Sequence, residues 1–226
     1  MEFKKMFCIP YAGGLAGYYR KLSRYLDGQI QIHPIELKGR GTRKDERYYE
    51  SFSEAVDDLY DVLIQNIEDT PFFLFGHSMG GRIAYELCLK LMKQKQKLPE
   101  HVFFSSVYPP FAGDDMSMKD MPDDELLKEL VNLGGMADEF INNSSLIKYF
   151  LPIIKDDLRI LDESELMEEP IDVNITVLWG NEDKQMEQMR GWEKMTERHC
   201  KFVEFEGGHF YINENLEKIA DIVRNT

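Results

Sequence analysis

The 226-residue chain is short of cysteine, short of positive charge and without a long apolar run. Its three cysteines, Cys8, Cys88 and Cys200, are odd in number, widely separated and set in apolar or helical patterns. A disulfide framework is not expected, nor a metal site, because no paired ligand spacing occurs. Buried free thiols in a reducing cytosol fit this usage. No apolar run reaches the length of about 18 residues that a bilayer span needs, so no transmembrane helix and no membrane partner are expected. Met1-Glu2-Phe3-Lys4-Lys5 leads into a short strand pattern, with no apolar segment and small-residue cleavage site. That argues against a signal peptide and for a cytoplasmic protein. Lys and Arg number 27 against 41 Asp and Glu, a formal net charge of -14. Such a chain repels phosphates, so nucleic acid is not an expected partner. No internal repeat and no low-complexity tract occurs.

What is present is an alternation of strands and helices. Apolar residues make up 43% of the chain, enough for the core of one domain over residues 1–226. Phe3 to Pro10 reads as a first strand and runs into the flexible turn Tyr11-Ala12-Gly13-Gly14. Leu15 to Leu26 reads as a helix with Tyr18, Leu22 and Leu26 four apart, stopped by Asp27-Gly28. Ile30 to Leu37 reads as a second strand, and Lys38 to Arg47 as a basic loop. Ser51 or Ser53 is placed to cap a helix reaching Ile67, with Ala55, Leu59, Leu63 and Ile67 on one stripe. Pro71 to Phe75 is a third strand, Arg82 to about Gln94 a helix, and Val102 to Tyr108 a fourth strand. The later elements are a strand at Ile175 to Trp179, a helix over about Lys184 to Arg198, a strand at Lys201 to Phe205 and a final helix near Glu214 to Val223. This order predicts an α/β fold, a mostly parallel central sheet with helices on both faces.

The alternation breaks between Pro109-Pro110 and about Pro170, where no strand is legible. Pro122 followed by Asp123, Asp124 and Glu125 starts a helix with Leu126, Leu127, Leu130 and Val131 on its apolar stripe, and Gly134-Gly135 stops it. Leu146 to Leu151 and Ile153 to Leu161 read as two further helical pieces. Met116, Met118, Met121 and Met136 add adaptable apolar side chains. A long insertion between strands, at the sheet end that carries the chemistry, reads as a lid over about 109–170.

That chemistry centres on Gly76-His77-Ser78-Met79-Gly80-Gly81. A buried strand, a Gly-x-Ser-x-Gly turn and a helix form the context of a nucleophile elbow, with Ser78 at its tip. A serine hydroxyl needs a base, usually a histidine oriented by a carboxylate, and in this arrangement the chain order is Ser, acid, His. Of His33, His77, His101, His199 and His209, only the last two follow a late acid. His199 precedes the last strand and sits at the wrong end of the sheet. His209, in Gly207-Gly208-His209-Phe210, sits at the right end and is the expected base; His77 is expected to be structural. Glu182 and Asp183 both follow a strand at that end, and Asp183 is the preferred acid. Met79, the residue after the nucleophile, and Ala12, in the loop after the first strand, are placed to supply backbone N–H groups to an oxyanion.

Taken together, Pro10-Tyr11-Ala12-Gly13-Gly14, Gly39-Arg40-Gly41, the Gly76–Gly81 elbow, Met121-Pro122-Asp123-Asp124-Glu125 with Leu133-Gly134-Gly135, and Gly207-Gly208-His209-Phe210 resemble the type II thioesterases. These stand-alone α/β-hydrolases accompany nonribosomal peptide and polyketide synthetases. The resemblance spans nearly the whole chain. It implies hydrolysis of thioesters on the 4′-phosphopantetheine arm of carrier proteins, which restores misprimed or stalled carriers. It implies a Ser78, Asp183 and His209 triad with Ala12 and Met79 as oxyanion donors, and neither a metal nor a redox cofactor, since the pantetheine belongs to the substrate. The expected partners are acyl or peptidyl carrier domains, met by a monomer. Chain-terminating thioesterase domains usually place their acid just after the fourth strand. Phe104-Ser105-Ser106-Val107 has no carboxylate there, which favours Asp183. Arg40, Arg43 and Lys44 are candidates for a local basic patch facing an acidic carrier, or for a solvated loop. Another esterase, acting on fatty acyl carriers, acyl-CoA or oxygen esters, is the first alternative. A non-catalytic carrier-binding partner is the second.

Overall fold

The computed structural model describes residues 3–26, 28–112, 118–136, 142–164, 167–183 and 186–226. Six strands form one sheet: β1 (Lys4–Ile9), β2 (Ile30–Pro34), β3 (Phe72–His77), β4 (His101–Ser105), β5 (Asn174–Gly180) and β6 (Cys200–Phe205). Their order is β2-β1-β3-β4-β5-β6, and every neighbouring pair is parallel. A parallel sheet is covered on both faces, so its central strands are apolar throughout, and β3 is buried along its whole length. Successive side chains leave a strand on opposite faces. Phe72 and Leu74 therefore join the core beneath α1 (Phe52–Ile67) and α2 (Met79–Lys93). Phe73 and Phe75 join the core beneath α6 (Leu216–Arg224) and the 3-10 segment Ala16–Tyr25.

Local chemistry sets most element ends. Ser51 caps α1 by accepting from the Glu54 N–H, and Ala55, Leu59, Leu63 and Ile67 are buried as the periodicity requires. The segment expected to be an α-helix at Leu15–Leu26 is instead a 3-10 helix over Ala16–Tyr25, and its buried residues Ala16, Tyr19 and Leu22 lie three apart. The tighter winding turns Tyr19 inward, where its hydroxyl donates to the Ile9 carbonyl at 3.0 Å. Tyr18 turns outward to Asn213. Strand β4 stops at Ser105, short of Tyr108, because Ser106 takes φ 47° and turns the chain away. The helix expected over Lys184–Arg198 is only α5 (Met186–Met189) and a 3-10 turn, Arg190–Lys194. That tighter turn presses Gly191 against Phe111, so close that a Cβ would stand 2.5 Å from the ring. It also directs Trp192 into the core, stacked on Phe104 with its indole N–H given to the Val107 carbonyl.

The insertion between β4 and β5 contains no strand among the described residues. Helix α3 (Asp123–Asn132) carries three acids in its first turn and buries Leu126 and Leu130. Its end is marked by Gly134 at φ 78°. The two expected pieces beyond it are one helix, α4 (Ser144–Asp162), which runs through Pro152. Proline removes one helical hydrogen bond. The buried face, Ile153, Ile154 and Leu158, lies beyond the proline; before it, Phe150 and Leu151 pack half-buried on the same cluster, and the Asn143 side chain caps the start. Met118, Met121 and Met136 pack on Leu126, Leu130, Ile154 and Leu158. Met116, Asp27 and Lys184 lie outside the described residues. Cys8 and Cys88 are buried and free, as expected, whereas Cys200 is only half-buried. Among the described residues, no helix is long and apolar enough to cross a membrane.

One consequence of burial can be measured. His101 meets the Thr176 hydroxyl at 2.8 Å. Burial, with Lys201 and Lys4 nearby, pushes its pKa down to about 4. The unfolded chain then binds this proton below pH about 6.5 while the folded chain does not, so stability falls as pH falls from about 6.5 to 4. Between pH 7 and 5 the wild type is expected to lose about 2 kcal/mol more than His101→Gln. Urea unfolding of both proteins at the two pH values checks this; an equal loss in both would refute it.

Candidate active site

Strands β1 and β3 are neighbours, yet the chain leaves β1 toward β2 on one side and leaves β3 toward β4 on the other. At such a switch point the loops diverge and a crevice opens at the carboxyl ends of the strands. Ile9 stands opposite Gly76 in the register, so the Tyr11–Gly14 turn and the Ser78 turn share this crevice. Ser78 is held at φ 54°, ψ -122°, with its N–H donating to the Ser105 carbonyl at 2.8 Å. A backbone of this kind costs about 1–3 kcal/mol and persists only where its surroundings enforce it. They do. A Cβ on Gly76 would stand 2.2 Å from the Gly80 carbonyl oxygen, and one on Gly80 2.2 Å from that of Ile9. Helix α2 begins at Met79, so its positive end lies at Ser78.

The acid and base arrive from the other half of the sheet. Gly180 ends β5, and a Cβ there would stand 2.2 Å from the Gly207 oxygen. This contact lays the loop after β5 along the loop after β6. His209 Nδ1 lies 2.9 Å and 3.0 Å from the two carboxylate oxygens of Asp183. The Asp183 side chain is 2% exposed and that of His209 10%. Glu182 is exposed, and its N–H donates to the Gly207 carbonyl. The geometry thus separates the two carboxylates that the sequence left side by side. With Nδ1–H given to Asp183, the His209 Nε2 carries the lone pair.

Three residues not singled out from sequence hold this loop. Ser106 donates its hydroxyl to the His209 carbonyl at 3.1 Å. The Ser105 hydroxyl bridges His77 Nδ1 at 2.8 Å and the Tyr211 hydroxyl at 2.7 Å. His77 is fully buried, and burial, then His209, pushes its pKa well below the ordinary value. It is a neutral spacer against the His209 ring, 5.2 Å away between centroids. Position alone could have pointed to Ser105 and Ser106, which end β4 beside the elbow; nothing in the pattern marks Tyr211.

Ser78, His209 and Ala12 line one cavity of about 260 Å³, closed by Leu130 of α3 and by Ile154 and Leu158 of α4. Met79 is buried behind Ser78. Of the two readings offered for Arg40, Arg43 and Lys44, a basic patch or a solvated loop, the patch does not form. Arg40 is 1% exposed and grips Asp157 of α4 through both guanidinium nitrogens. Arg43 is committed to Asp58 and Glu46. Lys44 alone of the three is exposed.

A parallel sheet with a serine on a strained strand-to-helix turn and a histidine–carboxylate pair across the crevice defines an α/β-hydrolase. Residues 4–226 match the family described as "Thioesterase domain", and the chain belongs to that family. It is 31% identical to linear gramicidin dehydrogenase LgrE of Brevibacillus parabrevis, over 98% of this chain and 86% of that protein. It is also 31% identical to the medium-chain S-acyl fatty acid synthase thioesterase of Homo sapiens, over 95% of this chain and 84% of that protein. Among solved structures it resembles the type II thioesterase BorB from the borrelidin biosynthetic cluster, with a TM-score of 0.89 and 28% identity, covering 99% of this chain and 92% of that one.

Proposed function

We propose that this chain is a type II thioesterase that hydrolyses acyl thioesters on the 4′-phosphopantetheine arm of carrier proteins and so regenerates blocked synthetase carriers. The observation that carries the reading is His209, paired with Asp183, lining one cavity with Ser78 on its strained turn. His209 Nε2 takes the Ser78 proton as the hydroxyl attacks the thioester carbonyl. Asp183 holds the ring in the required tautomer and balances the imidazolium. The oxyanion rests on the N–H groups of Met79 and Ala12. The imidazolium gives that proton to the departing sulfur, so pantetheine leaves as its thiol; neutral His209 then deprotonates a water that attacks the acyl-enzyme, and returns the proton to the Ser78 oxygen as the acid is released. The residues of the chain handle every charge in this sequence, so it needs neither metal nor redox cofactor. The 109–170 insertion serves as a lid, and the enzyme meets its carrier as a monomer.

The dehydrogenase name of one relative is not adopted for this chain, whose sequence contains no Gly-x-Gly-x-x-Gly dinucleotide fingerprint. The apolar cavity wall of Leu130, Ile154 and Leu158 favours one second reading, a fatty acyl thioesterase like the human relative. Hydrolysis of an acetyl-carrier, an acyl-CoA series and simple oxygen esters separates the readings. The carrier thioester should have the highest kcat/KM, by at least about 10-fold, a preference worth about 1.4 kcal/mol. Equal or faster oxygen-ester hydrolysis would reject carrier editing, and a preference for long acyl-CoA would favour the second reading.

A further inference from the structure

The buried ion pair between Arg40 and Asp157 plays no part in the mechanism above, yet it touches the loop on which the mechanism depends. The Asp157 carboxylate, 0% exposed, receives Arg40 Nη2 on Oδ1 and Arg40 Nη1 on Oδ2, each at 2.5 Å. Oδ2 also receives the backbone N–H of Gly13 at 2.7 Å. Arg40 Nη1 reaches the Gly14 carbonyl at 3.5 Å. One carboxylate on α4 therefore fixes the residue after Ala12, and the arginine fixed by it adjoins the next residue.

The same helix is held elsewhere. The Gly41 N–H donates to the Tyr149 hydroxyl, and Arg159 donates to the carbonyls of Tyr49 and Glu50. Gly13 sits under Ile154 so closely that a Cβ would stand 2.3 Å from Ile154 Cγ1. In contrast, α3 meets α4 through the apolar contacts of Leu126 and Leu130 and a surface pair, Asp123 with Lys155. A buried ion pair costs about as much in desolvation as it returns, so stability alone is a weak reason for one here. A bidentate, fully buried carboxylate does fix position well.

We infer that Arg40 and Asp157 are positioning residues for acyl transfer: they hold the Tyr11–Gly14 turn so that the Ala12 N–H meets the oxyanion, and they make α4 the fixed part of the lid. This rests on the proposed role of Ala12. A displaced donor mainly lowers kcat, because the oxyanion develops in the transition state and tetrahedral intermediate and is absent from the bound thioester.

The test uses Asp157→Asn and Arg40→Lys, with Ser78→Ala as the control. Active sites are titrated with a fluorophosphonate, and kcat per titrated serine and KM are measured on an acetyl-carrier thioester. Both positioning variants should lose about 10- to 100-fold in kcat per titrated serine, the scale expected of about 1 Å of misplacement. KM should stay within about 3-fold, since ground-state binding is not the interaction removed. A smaller titratable fraction with wild-type kcat per serine would assign the pair a purely structural role and overturn the inference. Activity in Ser78→Ala would instead reject the site reading beneath it. An inactive Ser78→Ala beside an unchanged Asp157→Asn and Arg40→Lys would reject only the present inference.

Discussion

Ser78→Ala should reduce thioester turnover by about 10⁴-fold or more while leaving the fold intact. Without the hydroxyl no acyl-enzyme forms, and only the oxyanion donors and substrate binding remain; in serine hydrolases such residues leave catalysis about 10³- to 10⁴-fold above water. The fold should survive because alanine occupies φ 54° with the same Cβ as serine. The glycines that enforce the turn, Gly76 and Gly80, are untouched. Circular dichroism, thermal melting and turnover on one preparation check both halves. A folded Ser78→Ala enzyme with near-wild-type rate would show that another group accepts the acyl chain.

The second large effect separates two neighbouring carboxylates. Asp183→Asn should cost about 10⁴-fold in kcat, because an amide no longer enforces Nδ1 protonation of His209 or balances the imidazolium. Glu182→Gln should stay within about 2-fold, since loss of an exposed charge is screened by solvent. The contrast follows from placement: the Asp183 side chain is 2% exposed with both oxygens about one hydrogen bond from His209, whereas Glu182 faces water. Steady-state rates of the two variants decide it. The reverse order of effects would move the acid to Glu182 and require the loop after β5 to rearrange.

The elbow was fully legible in the sequence, because a Gly-x-Ser-x-Gly turn between an apolar run and a helical stripe leaves the backbone no other comfortable path. His209 was legible from topology, since a residue just after a strand lies at the carboxyl end of a parallel sheet. Asp183 was legible only as one of two, because one residue of offset on a turn decides between burial and solvent. The 3-10 winding of Ala16–Tyr25 was not legible. Its apolar residues satisfy spacings of three and of four, and only packing against β1 selects between them. The role of Arg40 was misplaced for a related reason. A basic residue in a Gly-flanked loop reads as solvated, and its partner, Asp157, is 117 residues away on a helix read as two pieces. Long-range pairs of buried charges leave no local pattern.

The most direct test of the account is to mix the wild-type enzyme with an acetyl-phosphopantetheinyl carrier protein, quench rapidly in acid and map the protein by peptide mass spectrometry. An acetyl group on the Ser78 peptide, absent in Ser78→Ala and accumulating when deacylation is slowed in His209→Ala given a chemical acetyl donor, is the predicted result. Rapid release of acetate with no acetyl on Ser78 at any quench time, or acetyl carried by a different residue, would contradict it.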